Sequence, residues 1–143
     1  MPAATIRIAD AVVAELNAAT LSMPLVAARA YAPVFDLAEM KDLHVTVVPK
    51  GLEQELASRG STPRDVKVDV AVQKKLSKCD AAEIDPLMQL VEEIAAFFKL
   101  RRLANFPLAV WVKTENVPIY SQEHLADLRQ FTSVVTFTFR VME

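Results

Sequence analysis

Glycine is scarce in this chain: 143 residues contain two, Gly51 and Gly60. They stand nine positions apart and neither opens a helix, so the glycine-rich loop that cradles a phosphate is excluded. Cysteine is rarer still. Cys79 is the only one, so no intrachain disulfide can form, and no Cys/His set has metal-ligand spacing. No histidine neighbours it to favour the thiolate, so it reads as inert, and a reducing compartment is expected. Two histidines, His44 and His124, are the only ordinary bases, and neither belongs to a motif that pairs a base with a nucleophile. His44 reads as a sheet-surface residue and His124 as a solvated helix residue. Excess positive charge is also missing: 16 Lys and Arg stand against 18 Asp and Glu, a net charge of −2, which argues against a dedicated nucleic-acid binder. No apolar run approaches the roughly 20 residues that span a bilayer, and the start lacks the charged and apolar regions of a signal peptide. Synthesis and folding in the cytoplasm, with no membrane contact, are expected.

What the chain does have is apolar residues, 52% against 24% charged, as suits a globular domain whose surface is partly covered by neighbouring subunits. Its length suits a single domain with a core that needs no disulfide or metal. Two period-two runs organise it, at 43–48 and 66–73. Val45 and Val47 in the first, and Val66, Val68, Val70 and Val72 in the second, fall on one side because strand side chains alternate. Between them, residues 49–64 hold both glycines and two prolines. The segment is far longer than an ordinary connection between paired strands and reads as an exposed arm.

Elsewhere, Ile8, Val12, Leu16 and Ala19 recur at helical spacing over 6–19, with Asn17 loosening the end of that helix. Residues 25–33 read as a strand flanked by prolines, and 36–42 as a helical turn. Ile84, Leu87, Met88, Val91, Ile94, Ala95 and Phe98 trace one face of a second helix, with Asp85 as cap, Pro86 in first position and Lys99, Arg101 and Arg102 in its last turns. A strand is expected over 107–113, and a short helix capped by Ser121 with Leu125 and Leu128 inward. The closing strand over 131–141 carries Phe131, Val135, Phe137, Phe139 and Val141 on one face and Thr132, Thr136, Thr138 and Arg140 on the other. The expected fold class is α+β, an antiparallel or mixed sheet packed against helices, with a long arm between two strands.

Chemistry-bearing constellations are otherwise missing. Glu92 and Glu93 are adjacent on a helix and point apart, so they cannot serve one substrate atom. Lys74, Lys75 and Lys78, and Lys99, Arg101 and Arg102, read as solvated faces. Trp111 and Phe106 read as core. No cofactor is expected, and no enzyme.

Several stretches do resemble a known family. They are 31–37 (YAPVFDL), 45–49 (VTVVP), Ser58-Arg59-Gly60, 69–75 (DVAVQKK), and Ile84-Asp85-Pro86-Leu87 followed by 90–94 (LVEEI). Together they are similar to small structural proteins of tailed-phage and prophage tail clusters, the tail terminator or neck-type group. The resemblance implies a compact subunit of a homo-oligomeric ring, commonly a hexamer. Such a ring caps the tail tube protein at its head-proximal end and presents a surface to head-tail connector proteins, so the location is the virion, after assembly in the host cytoplasm. On the residues themselves, the arm is the candidate contact surface, with Lys50, Gly51, Glu53, Glu55, Arg59, Gly60 and Arg64 as interface residues and the two arginines as ionic contacts. A head-completion adaptor or another minor tail protein is the nearest alternative. A small ligand-binding protein or enzyme, and a DNA-contacting regulator, are more remote.

Overall fold

A computed structural model describes residues 3–31, 42–54, 62–78 and 80–141. The elements run α1 (Ala4–Ala18), β1 (Ala27–Arg29), β2 (His44–Gln54), β3 (Arg64–Lys75), α2 (Ala81–Phe98), β4 (Ala109–Glu115), α3 (Gln122–Leu128) and β5 (Gln130–Val141). They build an α+β domain around a five-stranded mixed sheet in the order β1-β2-β3-β5-β4. Only the β1–β2 pair is parallel. The expected fold class holds, in its mixed form.

The valine alternation does what period two requires. Val66, Val68, Val70 and Val72 of β3 are fully buried, and they sit between Val45 and Val47 of β2 and the Phe137 and Val135 positions of β5. Ile8, Val12 and Leu16 of α1, and Leu87, Leu90, Val91, Ile94 and Phe98 of α2, complete the same core. Phe98 meets Phe137 with ring centroids 4.8 Å apart. The helical stripes of both long helices are therefore apolar because they face one sheet.

Several boundaries depart from the sequence reading. The strand expected over 25–33 contracts to three residues in β1. Asn17 does not merely loosen the end of α1: its amide donates to the Ala27 carbonyl at 3.1 Å and accepts from the Ala27 N–H at 2.7 Å, fastening β1 to the helix. The cap of α2 is Asp80, which accepts from the Glu83 N–H, while Pro86 lies inside the helix. The spacing Asp80-x-x-Glu83 is a capping pattern, and Glu83 in turn accepts from the Ser77 and Lys78 N–H groups, so the helix starts five residues early. It stops at Phe98, which leaves Lys99, Arg101 and Arg102 beyond its last turn. Ser121 caps α3 as expected, but Leu128 faces solvent. The threonine face of β5 is not open either. Thr132, Thr136 and Thr138 are buried, Thr132 beneath His124 and Thr136 donating to Asp69 at 2.6 Å. The helical turn expected over 36–42 and Cys79 lie outside the described residues, Asp42 excepted.

Candidate assembly surface

The arm is shorter than the sequence indicates, because both flanking strands run into it. Lys50, Gly51 and Glu53 belong to β2, and Arg64 opens β3. The ladder passes Pro49 and Gly51 by a register shift between them, then continues through Leu52↔Val66 to Gln54↔Arg64. One inserted residue lets a strand absorb an irregular position without ending the pairing. Gly51 is not there for space: an added Cβ would meet nothing within 4 Å.

On the sheet face away from α1 and α2, the charges of this hairpin are used within the sheet. Glu53 pairs with Lys67 at 3.1 Å, Lys50 reaches Asp69 at 3.7 Å, and Arg140 grips Asp65 through two bonds of 2.8 and 3.1 Å. The Arg140 hydrogen bonds hold the Asp65 carboxyl below its ordinary range, with smaller help from the charge of Lys67. Arg64 is half-buried, between the Gln54 and Val141 register positions. Glu55, Arg59 and Gly60 lie outside the described residues. Thus the structure brings four of the seven candidate residues into the sheet rather than onto a projection.

Four of the other residues singled out in the sequence are held in structural contacts. His124 is half-buried, its Nδ1 2.9 Å from the Thr132 hydroxyl, so it is not the solvated residue its helix position suggests. Glu93 accepts from the Ser22 N–H at 2.9 Å, and that bond holds its carboxyl below the ordinary range. Arg101 lies 3.9 Å above the Phe97 ring with its Nε 3.4 Å from Glu15. Trp111 is packed against the core, with its indole N–H donating to Thr114 at 2.8 Å. Among the described residues no group of three His, Cys, Asp or Glu side chains is placed to hold a metal ion.

What sequence reasoning missed is the opposite border of the sheet. Among the described residues β4 is paired on one side only, with β5, so there its outer backbone groups form an edge. Beside it stand exposed apolar side chains: Leu100 at 78% exposure, Leu108 at 71%, Val110 at 57%, and Val112. A cleft of about 110 Å³ between the end of α2 and this strand is lined by Leu100, Arg101, Arg102, Ala109, Val110 and Trp111. Leu100 is held there with φ 58°, the left-handed conformation that glycine adopts freely and a leucine does not. The only signal in the sequence was the missing glycine after Lys99, at a helix end where one is common.

No family model matches this chain, and no curated protein matches it. Among solved structures, it is similar to a chain in a cryo-EM structure of an extracellular contractile injection system, the PVC sheath/tube terminator in the extended state. The identity is 20% and the TM-score 0.43, over 100% of this chain and 58% of that one. The chain thus spans little more than half the length of that neighbour, and a likeness so loose carries no argument about function.

Proposed function

We propose that this chain is a structural subunit that forms a ring at the head-proximal end of a phage tail tube, ends tube polymerisation and offers the head-joining surface. The observation that supports a structural subunit is the β4 border, a strand edge flanked by Leu100, Leu108, Val110 and Val112. Exposed backbone pairing groups bordered by apolar side chains are what proteins cover with other protein. The place at the tail end comes from the family resemblance of the segments quoted above, not from the contractile-system likeness. On this reading the work is stoichiometric and mechanical, the partners are copies of this chain, the tail tube protein and head-tail connector proteins, and the site of action is the virion.

The test is to image particles assembled without this protein. Tubes of uncontrolled length with no head attached, returned to normal by adding the protein, are expected. Tails of normal length that merely lack heads would assign the adaptor role instead, and intact particles would end both readings.

A further inference from the structure

The β4 edge carries its own complement. Its head, Ala109 to Trp111, lies beside Arg101 and Arg102, and its tail ends in Glu115, which is exposed. Between them stand Val110 and Val112, both exposed. Arg102 is exposed and forms no ion pair among the described residues. A twofold axis through the middle of an edge strand sets two copies antiparallel, so head meets tail twice. We propose that β4 pairs with β4 of a second copy, joining two five-stranded sheets into one, with the Arg101/Arg102 end of each strand against Glu115 of the other.

The opposite border cannot do this as well. β1 offers only three residues, Ala27–Arg29, and its Arg29 is already bonded to Asp10 at 2.7 Å. Short edges are one way proteins prevent pairing, whereas β4 has seven residues and its apolar half contains neither charge nor proline. The charged guard, Lys113, stands in the second half and is bonded to Glu115 at 3.2 Å, an exposed pair that costs little to rearrange. An unrelated strand could use the same backbone groups, but it would have no reason to match this head-to-tail charge order. A second copy matches it by symmetry.

The inference does not rest on the terminator reading. A ring needs a heterologous contact, so the twofold pair is a form of the free protein with its adhesive edge covered. The experiment measures the mass of the purified protein in solution, without tube, by light scattering and sedimentation, for the wild type and for Arg102→Glu, Glu115→Arg, the double exchange and Val110→Lys. A dimer is expected for the wild type, monomer for each single variant, and recovery of the dimer in the double exchange. Circular dichroism checks that each variant is folded, and a variant that is not folded is replaced by Val112→Lys. A wild type that stays monomeric at high concentration overturns the proposal, as does a dimer indifferent to every substitution. A six-fold species lost in Val110→Lys overturns the twofold pairing and leaves the ring reading standing.

Discussion

Leu100 combines two unfavourable features, a left-handed backbone and an exposed apolar side chain, and replacing it with glycine tests both. The left-handed conformation costs an L-residue roughly 1–2 kcal/mol, and the extra freedom of glycine in the unfolded chain takes back about 0.5–1 kcal/mol. The side chain is mostly exposed, so its removal forfeits little burial, and Leu100→Gly is expected to stabilise the subunit by about 0.5–1 kcal/mol. Unfolding entropy for a chain of 143 residues is on the order of 0.3 kcal/mol/K, which converts that gain to a rise in Tm of about 2–3 °C. Because pairing between copies shifts Tm by mass action, the measurement belongs in the Val110→Lys background, by scanning calorimetry at fixed concentration. Arg129, with φ 50° at the end of α3, is the internal check and should respond to glycine in the same direction. A fall in Tm at Leu100 would refute the reasoning, since it would mean that the side chain holds something in the subunit itself.

Two further outcomes are expected. Asn17→Ala removes both bonds to Ala27 and should cost about 1–3 kcal/mol in urea unfolding, with faster hydrogen exchange at the Ala27 amide; unchanged exchange there would show that β1 is held by its pairing to β2 alone. Asp65 is depressed in the folded state by Arg140, so its contribution is present above the unfolded carboxylate pKa near 3.9 and is lost as pH falls through the lower folded value. Arg140→Ala should therefore destabilise by under ~1 kcal/mol near neutral pH, with the difference from wild type closing in acid. A deficit that persists undiminished in acid would mean that Arg140 acts through packing.

Much of the fold was legible because its signals are local. The alternation of Val66, Val68, Val70 and Val72, the helical stripes of α1 and α2, and the parity of β5 each depend on a residue's position relative to near neighbours, and each faces the core as its period requires. Where a local rule had two readings, the sequence misled. Asp85-Pro86 has the form of a helix start, yet Asp80 with Glu83 supplies the cap, and the packed helix tolerates the proline. Gly51 and Pro49 have the form of an arm, yet pairing with β3 carries the strand past them, since ladder bonds on both sides of the irregularity outweigh one bulge.

The candidate surface was legible least. The sequence by itself determined which residues seek the interior, the order and type of the described strands and helices, and that no glycine-rich phosphate loop or intrachain disulfide is possible. It also marked residues 107–113 as a strand, but not as a border, because edge status follows from the order β1-β2-β3-β5-β4, set by contacts between segments far apart in the chain. Only the tertiary structure decided that Lys50, Glu53 and Arg140 are committed to partners in the sheet while Val110, Leu108 and a strained Leu100 are left outside it. The physical reason is that burial is a property of where a residue ends up among distant neighbours, and no period along the chain records it.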